Sequence, residues 1–167
     1  MLIRAAYPEE ASALACIAMD AKASWGYTAE QVDAWREALS PTAESIGAQP
    51  TYVAELNGER AGFYQVSMGA QAAELEHLWV RPTFMRQGVG RALLQHAMQL
   101  LARADVSSIE IDADPNAERF YVACGAVRTG TRPAPIDGEA NRARPQLRLS
   151  TACHPGESRD PRGAAAD

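Results

Sequence analysis

The sequence predicts an α+β fold with a mixed sheet, and three observations support this prediction. Segments of strand and helix character follow one another as strand, two helices, three strands, helix, strand, helix and two strands. An Asn57-Gly58 pair between two runs of strand formers supplies both positive φ values of a type I′ turn, which predicts a β-hairpin. Apolar residues at helical spacing over 89–101, between two strand-like runs, predict a strand-helix-strand crossover. A sheet that contains both a hairpin and a crossover of this kind has antiparallel as well as parallel neighbouring strands.

The first third of the chain predicts one strand and two helices. Residues 2–5 form a short strand-like run before Pro8, and apolar spacing indicates a helix to about residue 23. Thr28 is followed three residues later by Gln31, which is a capping-box signal for a second helix.

The rest of the chain predicts six strands, two helices and a tail. The first of these helices is the one predicted over 89–101. Asp114, with a proline after it, is an N-cap signal for the second helix, which ends near Cys124, before Gly125. A lack of periodicity after residue 150 predicts a folded domain over 1–150 and a disordered tail over 151–167. The remaining strand-like runs are the hairpin 51–66 and residues 74–80, 107–112, 126–130 and 145–150.

Composition limits the classes of partner. The 167 residues, 47% of them hydrophobic and 22% charged, suffice for one domain with its own core. A net charge of −5 argues against a nucleic-acid partner and favours a cationic acceptor. Cys16, Cys124 and Cys153 are odd in number and lack metal-ligand spacing, so neither a disulfide framework nor a metal site is predicted. The sequence shows neither a signal peptide nor a long apolar run, which predicts a cytoplasmic protein without a membrane partner.

Two glycines, Gly88 and Gly90, stand where a strand-like run passes into a helix. In a strand-helix crossover the unpaired N–H groups at the helix start converge just beyond the end of the strand. Together with the helix dipole they form an anion site, and the missing Cβ atoms let a phosphate approach the backbone. The alternative is that the glycines only permit a tight turn.

Two segments resemble motifs of the GNAT N-acetyltransferases. "LWVRPTFMRQGVGRALL" is similar to the acetyl-CoA signature of that family, and "DPNAERFYVACGA" resembles the helix after the next strand, with its Phe-Tyr pair. The resemblance covers roughly residues 2–150. It implies a mostly antiparallel central sheet flanked by helices, with splayed central strands, and an enzyme that transfers an acetyl group from acetyl-CoA to an amine.

The resemblance also implies which residues bind coenzyme A. Leu78 and Val80 would bond the pantetheine arm and the acetyl oxygen through their main chain. Asp114 stands where the family usually has Asn, and Asn116 lies two places further on, so either could cap the helix and contact the pantetheine. Met85 replaces the usual Gln or Arg. The pyrophosphate would be held, mostly by backbone N–H groups, at Arg86, Gln87, Gly88, Val89, Gly90 and Arg91.

Acetyl transfer needs a neutral amine, whereas a lysine-like amine with a pKa near 10.4 is almost wholly protonated at neutral pH. Glu76, Glu74 and His77, in that order of preference, are the candidate bases that could remove the proton. Strict alternation would place both glutamates on one face of the strand and His77, with Leu75, on the other. Family members often carry a bulge here, which would change this assignment.

Tyr121 matches the family's usual general acid position. A thiolate with a pKa near 8.5 is less basic than a tyrosinate, so the preferred role for Tyr121 is a hydrogen bond to the departing thiolate. The alternative is an aromatic side chain packed on the sheet beside Phe120.

The acceptor is predicted to be a small-molecule amine or a protein amine. Its pocket is expected between the helix entry "SWGYTAEQVDAW" and the loop "RPAPIDGEANRARP". Trp25, Tyr27, Glu30 and Asp33 could bind the amine through aromatic and acidic contacts, although wall and core are the preferred roles of Trp25 and Trp35. A coenzyme-A-binding module without catalysis is the alternative function. Homodimers are common in the family, so a homodimer is a further expectation.

Overall fold

The computed structural model describes residues 1–152, and seven strands in this range form one sheet. The strands are β1 (Leu2–Ala5), β2 (Thr51–Leu56), β3 (Glu59–Met68), β4 (Ala72–Val80), β5 (Ser108–Asp112), β6 (Val127–Pro133) and β7 (Ala143–Ser150). The helices are α1 (Ala11–Ala23), α2 (Ala29–Ala34), α3 (Arg36–Leu39), α4 (Ala43–Ala48), α5 (Val89–Arg103) and α6 (Glu118–Ala123). Short 3-10 helices at Pro8–Glu10, Pro82–Phe84 and Pro115–Ala117 precede α1, α5 and α6.

The sheet is mixed and mostly antiparallel, which confirms the predicted fold class. Its strand order is β1-β2-β3-β4-β5-β7-β6, and only β4 and β5 are parallel neighbours. The pairing between these two covers residues 72–74 of β4 and 108–110 of β5, although β4 continues to Val80. Beyond this pairing, the splaying of the central strands stays a prediction.

The two faces of the sheet carry separate cores. The face covered by α5 and α6 buries Tyr64, Leu93, Leu101, Ile109 and Leu147. The opposite face is covered by α1 to α4, whose buried side chains include Leu14, Ile17, Val32, Leu39 and Ile46. Each helix therefore presents an apolar stripe to one face, as the helical spacing predicts.

The hairpin and most element boundaries follow the sequence. Asn57 and Gly58 both have positive φ, 55° and 80°, as a type I′ turn requires. Thr28 and Gln31 form the predicted capping box. The helix that follows is not continuous, however, because Trp35, with φ −96° and ψ 2°, separates α2 from α3.

The structure adds one helix that no prediction includes. Thr42 and Ser45 cap each other at the start of α4, although Ser replaces the Glu or Gln that the capping-box pattern requires. Thr151, which was predicted to begin the tail, is buried and bonds to Ser107 and Val106. The rest of the predicted tail, including Cys153, lies outside the described residues, apart from Ala152. No helix within residues 1–152 is long and apolar enough to cross a membrane.

Candidate active site

One cavity of about 830 Å³ opens between the end of α1, the second half of β4, the start of α5, the start of α6 and the connection from β6 to β7. It brings together segments that are far apart in the sequence. The predicted site residues that line it are Glu76, His77, Leu78, Val80, Arg86, Gly88, Gly90, Arg91, Asp114, Asn116 and Tyr121. The predicted catalytic and coenzyme-binding residues that do not line it are Glu74, Gln87 and Val89.

The turn before α5 leaves its backbone amides open to the cavity. Gly88 is the N-cap of α5 with φ +83°, and no side chain caps the helix, so the first amides of α5 have no intrahelical partner. A Cβ atom at Gly88 would meet no atom within 4 Å. The space and the unpaired donors fit a phosphate group, and Arg86 and Arg91 add positive charge.

The second glycine has a different local cause. A Cβ atom at Gly90 would lie 3.3 Å from two ring atoms of Phe120 and 3.5 Å from Val80. Gly90 therefore allows α5 to pack closely against α6 and β4, while Gly88 supplies the left-handed conformation of the turn. The two proposed reasons for a glycine pair, a turn and access to the backbone, thus apply mainly to Gly88.

The main chain of β4 is available along the cavity. Leu78 and Val80 pair with β3 on one side, at Tyr64 and Gly62. No strand pairing is present on the β5 side beyond Glu74, so main-chain groups on that edge can bond a ligand.

A bulge in β4 changes the side-chain pattern of the strand. His77 pairs with Gln65 and Leu75 with Val66, which leaves Glu76 as the extra residue. Leu75 therefore packs on the same face as Leu78, whereas Trp79 packs on the opposite face. The strict alternation that placed Leu75 with His77 and Trp79 was wrong, because the extra residue shifts the period by one.

The three candidate bases differ in their surroundings. The Glu76 side chain is exposed, lines the cavity and forms no hydrogen bond or ion pair within residues 1–152. Glu74 is exposed outside the cavity. Burial lowers the pKa of His77 to about 4, against a smaller opposing effect of Glu76. The His77 Nδ1 atom lies 3.3 Å from the Trp79 indole Nε1, which donates to it.

Tyr121 is held by α6 with its side chain almost fully buried, and it lines the cavity. Its ring packs edge-on against Phe120, with ring centroids 5.1 Å apart. Its hydroxyl has no hydrogen-bond partner within the described part of the chain. The hydroxyl oxygen keeps some solvent-accessible surface, since it is not one of the fully buried polar atoms that lack a partner. Burial raises the pKa of Tyr121, so the phenol keeps its proton at neutral pH.

Asp114 is the helix cap, and its carboxylate is fully engaged within the protein. Oδ1 accepts from the backbone and the side-chain amide of Asn116, each at 2.9 Å. Oδ2 accepts from Tyr27 at 2.9 Å, from Arg142 at 3.0 Å and from Lys22. Burial alone would raise the pKa of Asp114, but the bonds from Lys22 and Asn116 lower it. Asn116 is the less buried of the two candidates for a contact with the pantetheine.

The aromatic residues of the predicted acceptor site contact the chain's own cations. The Lys22 Nζ lies 4.6 Å from the ring centroid of Tyr27 and 4.4 Å from that of Trp35, and Arg142 lies over both rings. Glu30 and Asp33 do not line the cavity, and Asp33 pairs with Arg36 on the surface. The acidic contacts predicted for an acceptor amine were therefore wrong at these positions.

Lys22 lines the cavity and was missed by every prediction, whereas Arg132, Arg142 and Arg144 belong to the loop that was predicted to line the acceptor pocket. Lys22 is the only lysine among 16 basic residues, which is a compositional signal, but its ion pair in the cavity is with Asp114, 92 positions away. The carboxylate of Asp112, which also lines the cavity, was missed as well. Within residues 1–152, no three His, Cys, Asp or Glu side chains are arranged to hold a metal ion.

Comparisons with known proteins agree with this architecture. Solved structures similar to this chain include a GCN5-related N-acetyltransferase from Rhodopseudomonas palustris (25% identity, 89% of this chain and 94% of that chain, TM-score 0.73). A second is the PaiA N-acetyltransferase from Thermoplasma acidophilum in complex with coenzyme A (18% identity, 89% and 98%, TM-score 0.69). A third is a ribosomal-protein alanine N-acetyltransferase from Escherichia coli (18% identity, 94% and 97%, TM-score 0.69).

The family assignment comes from the sequence itself. The model of the acetyltransferase (GNAT) family matches residues 14–126, which is more than half of the chain and includes β4, the glycine turn and α6. This chain therefore belongs to the GNAT family, as an acyltransferase whose acetyl donor is acetyl-CoA.

Proposed function

We propose that the protein transfers an acetyl group from acetyl-CoA directly to a primary amine bound in the same cavity. The observation that carries the proposal is the content of that cavity. It contains the open amides at the start of α5, a tyrosine hydroxyl and a carboxylate, and neither of these two groups has a partner within residues 1–152. These are a phosphate site, a hydrogen-bond donor for a leaving group and a base.

The start of α5 would hold the pyrophosphate of coenzyme A. The amides around Gly88 donate to its oxygens, and the side chains of Arg86 and Arg91 add charge. The free edge of β4 at Leu78 and Val80 would bond the pantetheine, with Asn116 as a further donor. When bound, acetyl-CoA supplies the acetyl group in activated form, as a thioester.

Glu76 would accept the proton of the acceptor amine, directly or through one water. Its carboxylate is unpaired and reaches the cavity from the bulge of β4. His77 is less suited to this role, since a base with a pKa of about 4 gains little from accepting a proton at neutral pH. In the neutral ring Nδ1 accepts from Trp79, so Nε2 carries the proton and offers no lone pair.

Tyr121 would donate a hydrogen bond to the sulfur as the C–S bond breaks. The raised pKa of its phenol favours this role over complete proton transfer, since the phenol is a weaker acid than a free thiol. Direct attack by the amine needs no nucleophile from the enzyme. Cys124, at the end of α6, lies outside the cavity, and burial raises the pKa of its thiol.

The proposal is tested by steady-state kinetics with Tyr121→Phe. We expect kcat to fall about a hundredfold, while the KM for acetyl-CoA stays unchanged, because the phenol acts only as the sulfur leaves. In the wild type, double-reciprocal plots with both substrates varied should intersect, as a ternary complex requires. Parallel lines would instead indicate an acetylated enzyme, and full activity of Tyr121→Phe would remove the proposed role of the phenol.

A further inference from the structure

The acceptor end of the cavity is the part lined by Lys22, Trp25, Trp35 and the connection from β6 to β7. It contains more positive than negative charge. Four cations share two carboxylates, in two groups of three: Lys22 and Arg142 with Asp114, and Arg132 and Arg144 with Asp112.

The first group is buried with a surplus charge. The exposed fractions of the side chains are 9% for Lys22, 6% for Arg142 and 5% for Asp114. With Lys22 protonated, two cations and one carboxylate leave a net charge of +1 in a region from which water is largely excluded. Burial lowers the pKa of Lys22, so an anion beside it would help to keep it charged. An uncompensated buried charge is costly, so this group favours a further anion nearby.

The second group leaves donors unused. Arg144 donates to the backbone oxygen of Asp112, and its Nε lies 3.2 Å from Asp112 Oδ1. This Nε atom is buried and makes no hydrogen bond within residues 1–152. The side chain of Arg144 is 35% exposed and lines the cavity, so its guanidinium can still reach a bound group.

We propose that the acceptor of the proposed acetyl transfer is a small primary amine that also carries a carboxylate, as an amino acid does. The inference rests on the proposed function and names its substrate class. Arg144, supported by the surplus charge of Lys22 and Arg142, binds the carboxylate, since a guanidinium matches a carboxylate with two parallel hydrogen bonds. Glu76 is the third carboxylate that lines the cavity, and among the described residues it alone of the three has no ion pair, which leaves it for the amine.

A purely cationic acceptor fits this end poorly. The faces of Tyr27 and Trp35, which could bind a cation, are already occupied by Lys22 and Arg142. A polyamine or an aminoglycoside would place further positive charge beside four cations. The overall net charge of −5 therefore does not describe the local charge at this site.

The test compares acceptors that differ only in the carboxylate. Glycine, L-alanine, L-methionine and L-phenylalanine are each compared with their α-carboxamides, with spermidine as the cationic acceptor. Release of the coenzyme A thiol reports activity, and the thermal unfolding midpoint reports binding. We expect kcat/KM for at least one acid to exceed that of its amide tenfold or more.

Variants locate the contact. Arg144→Gln should raise the KM for the preferred acid at least tenfold and leave the KM for acetyl-CoA unchanged. In this variant kcat/KM for the acid and for its amide should become similar. Arg148→Gln is the matched control, because Arg148 lies on the same strand, outside the cavity, and pairs with Glu110. Both side chains are partly exposed, so both variants should fold.

Each outcome separates this inference from the function on which it rests. Equal rates with acids and amides, a preference for spermidine, or an unchanged KM in Arg144→Gln would overturn the carboxylate site. The carboxylate site would also be overturned if acetyl-CoA raises the unfolding midpoint but no acid is acetylated or bound. If acetyl-CoA itself produces no shift, the proposed function fails.

Discussion

The difference between Glu76 and Glu74 provides a test at the scale of single residues. Glu76→Gln should lower kcat/KM about a hundredfold at pH 7, because the amine must then lose its proton to water. The loss should shrink up to tenfold for each pH unit towards the pKa of the amine. Glu74→Gln is the matched control and should behave as the wild type, since Glu74 lies outside the cavity. A loss that is equal at pH 7 and pH 9 would assign Glu76 to acceptor binding.

His77 should affect stability rather than the pH profile of activity. Burial lowers its pKa from 6.5 to about 4, so the unfolded chain takes up a proton over this range before the folded chain does. The contribution of His77 to the free energy of unfolding is therefore fully present above pH 6.5. It is lost as the pH falls towards 4, by at most about 2 kcal/mol between pH 8 and pH 5. Urea unfolding should show a smaller loss in His77→Gln.

His96→Gln is the control for this measurement, because it keeps His77 and removes another histidine whose pKa burial lowers. It should retain the acid sensitivity that His77 causes. An identical loss between pH 8 and pH 5 in the wild type and in His77→Gln would mean that His77 titrates with its ordinary pKa.

At the scale of elements, the start of α5 distinguishes an anion site from a simple turn. Asn and Asp tolerate the left-handed conformation of Gly88 better than other residues and have the same shape, so Gly88→Asn and Gly88→Asp should lose similar stability, about 1 kcal/mol. Only Asp places a negative charge where the phosphate is expected. The dissociation constant of Gly88→Asp for acetyl-CoA, measured by calorimetry, should exceed that of Gly88→Asn at least tenfold. Equal affinities would reduce Gly88 to a turn residue.

The helices, strands and turns also show which structural features a local sequence pattern can predict. The Asn57-Gly58 turn, the capping box at Thr28 and the end of α6 at Gly125 were predictable, because each depends on a few neighbouring residues. The family resemblance implied a bulge in β4 but not its position, since no local preference marks which residue of the strand lacks a partner on β3; the structure places it at Glu76. The side of the strand on which a candidate base lies therefore required the structure.

At the scale of the whole molecule, contacts across the fold decide the character of the site. The glycine turn and Tyr121 could be selected from the sequence because both belong to continuous motifs, and both line the cavity. The charge of the acceptor end depends on Lys22, Asp114 and Arg142, which lie on three segments separated by 92 and 28 positions. Neither pattern nor composition places such residues together, and the composition favoured an acceptor of the opposite charge.

The carboxyl-terminal limit of the domain provides the last test. We propose that the folded domain extends through Thr151, because the Thr151 amide donates to the Ser107 carbonyl at 3.0 Å and its hydroxyl donates to the Val106 carbonyl. A chain ending at Ala152 should unfold at the same temperature as the full chain. A chain ending at Ser150 loses both bonds, which should cost about 1–3 kcal/mol and lower the midpoint by roughly 3–10 °C. Loss of stability in the chain that ends at Ala152 would show that residues 153–167 contribute to the fold.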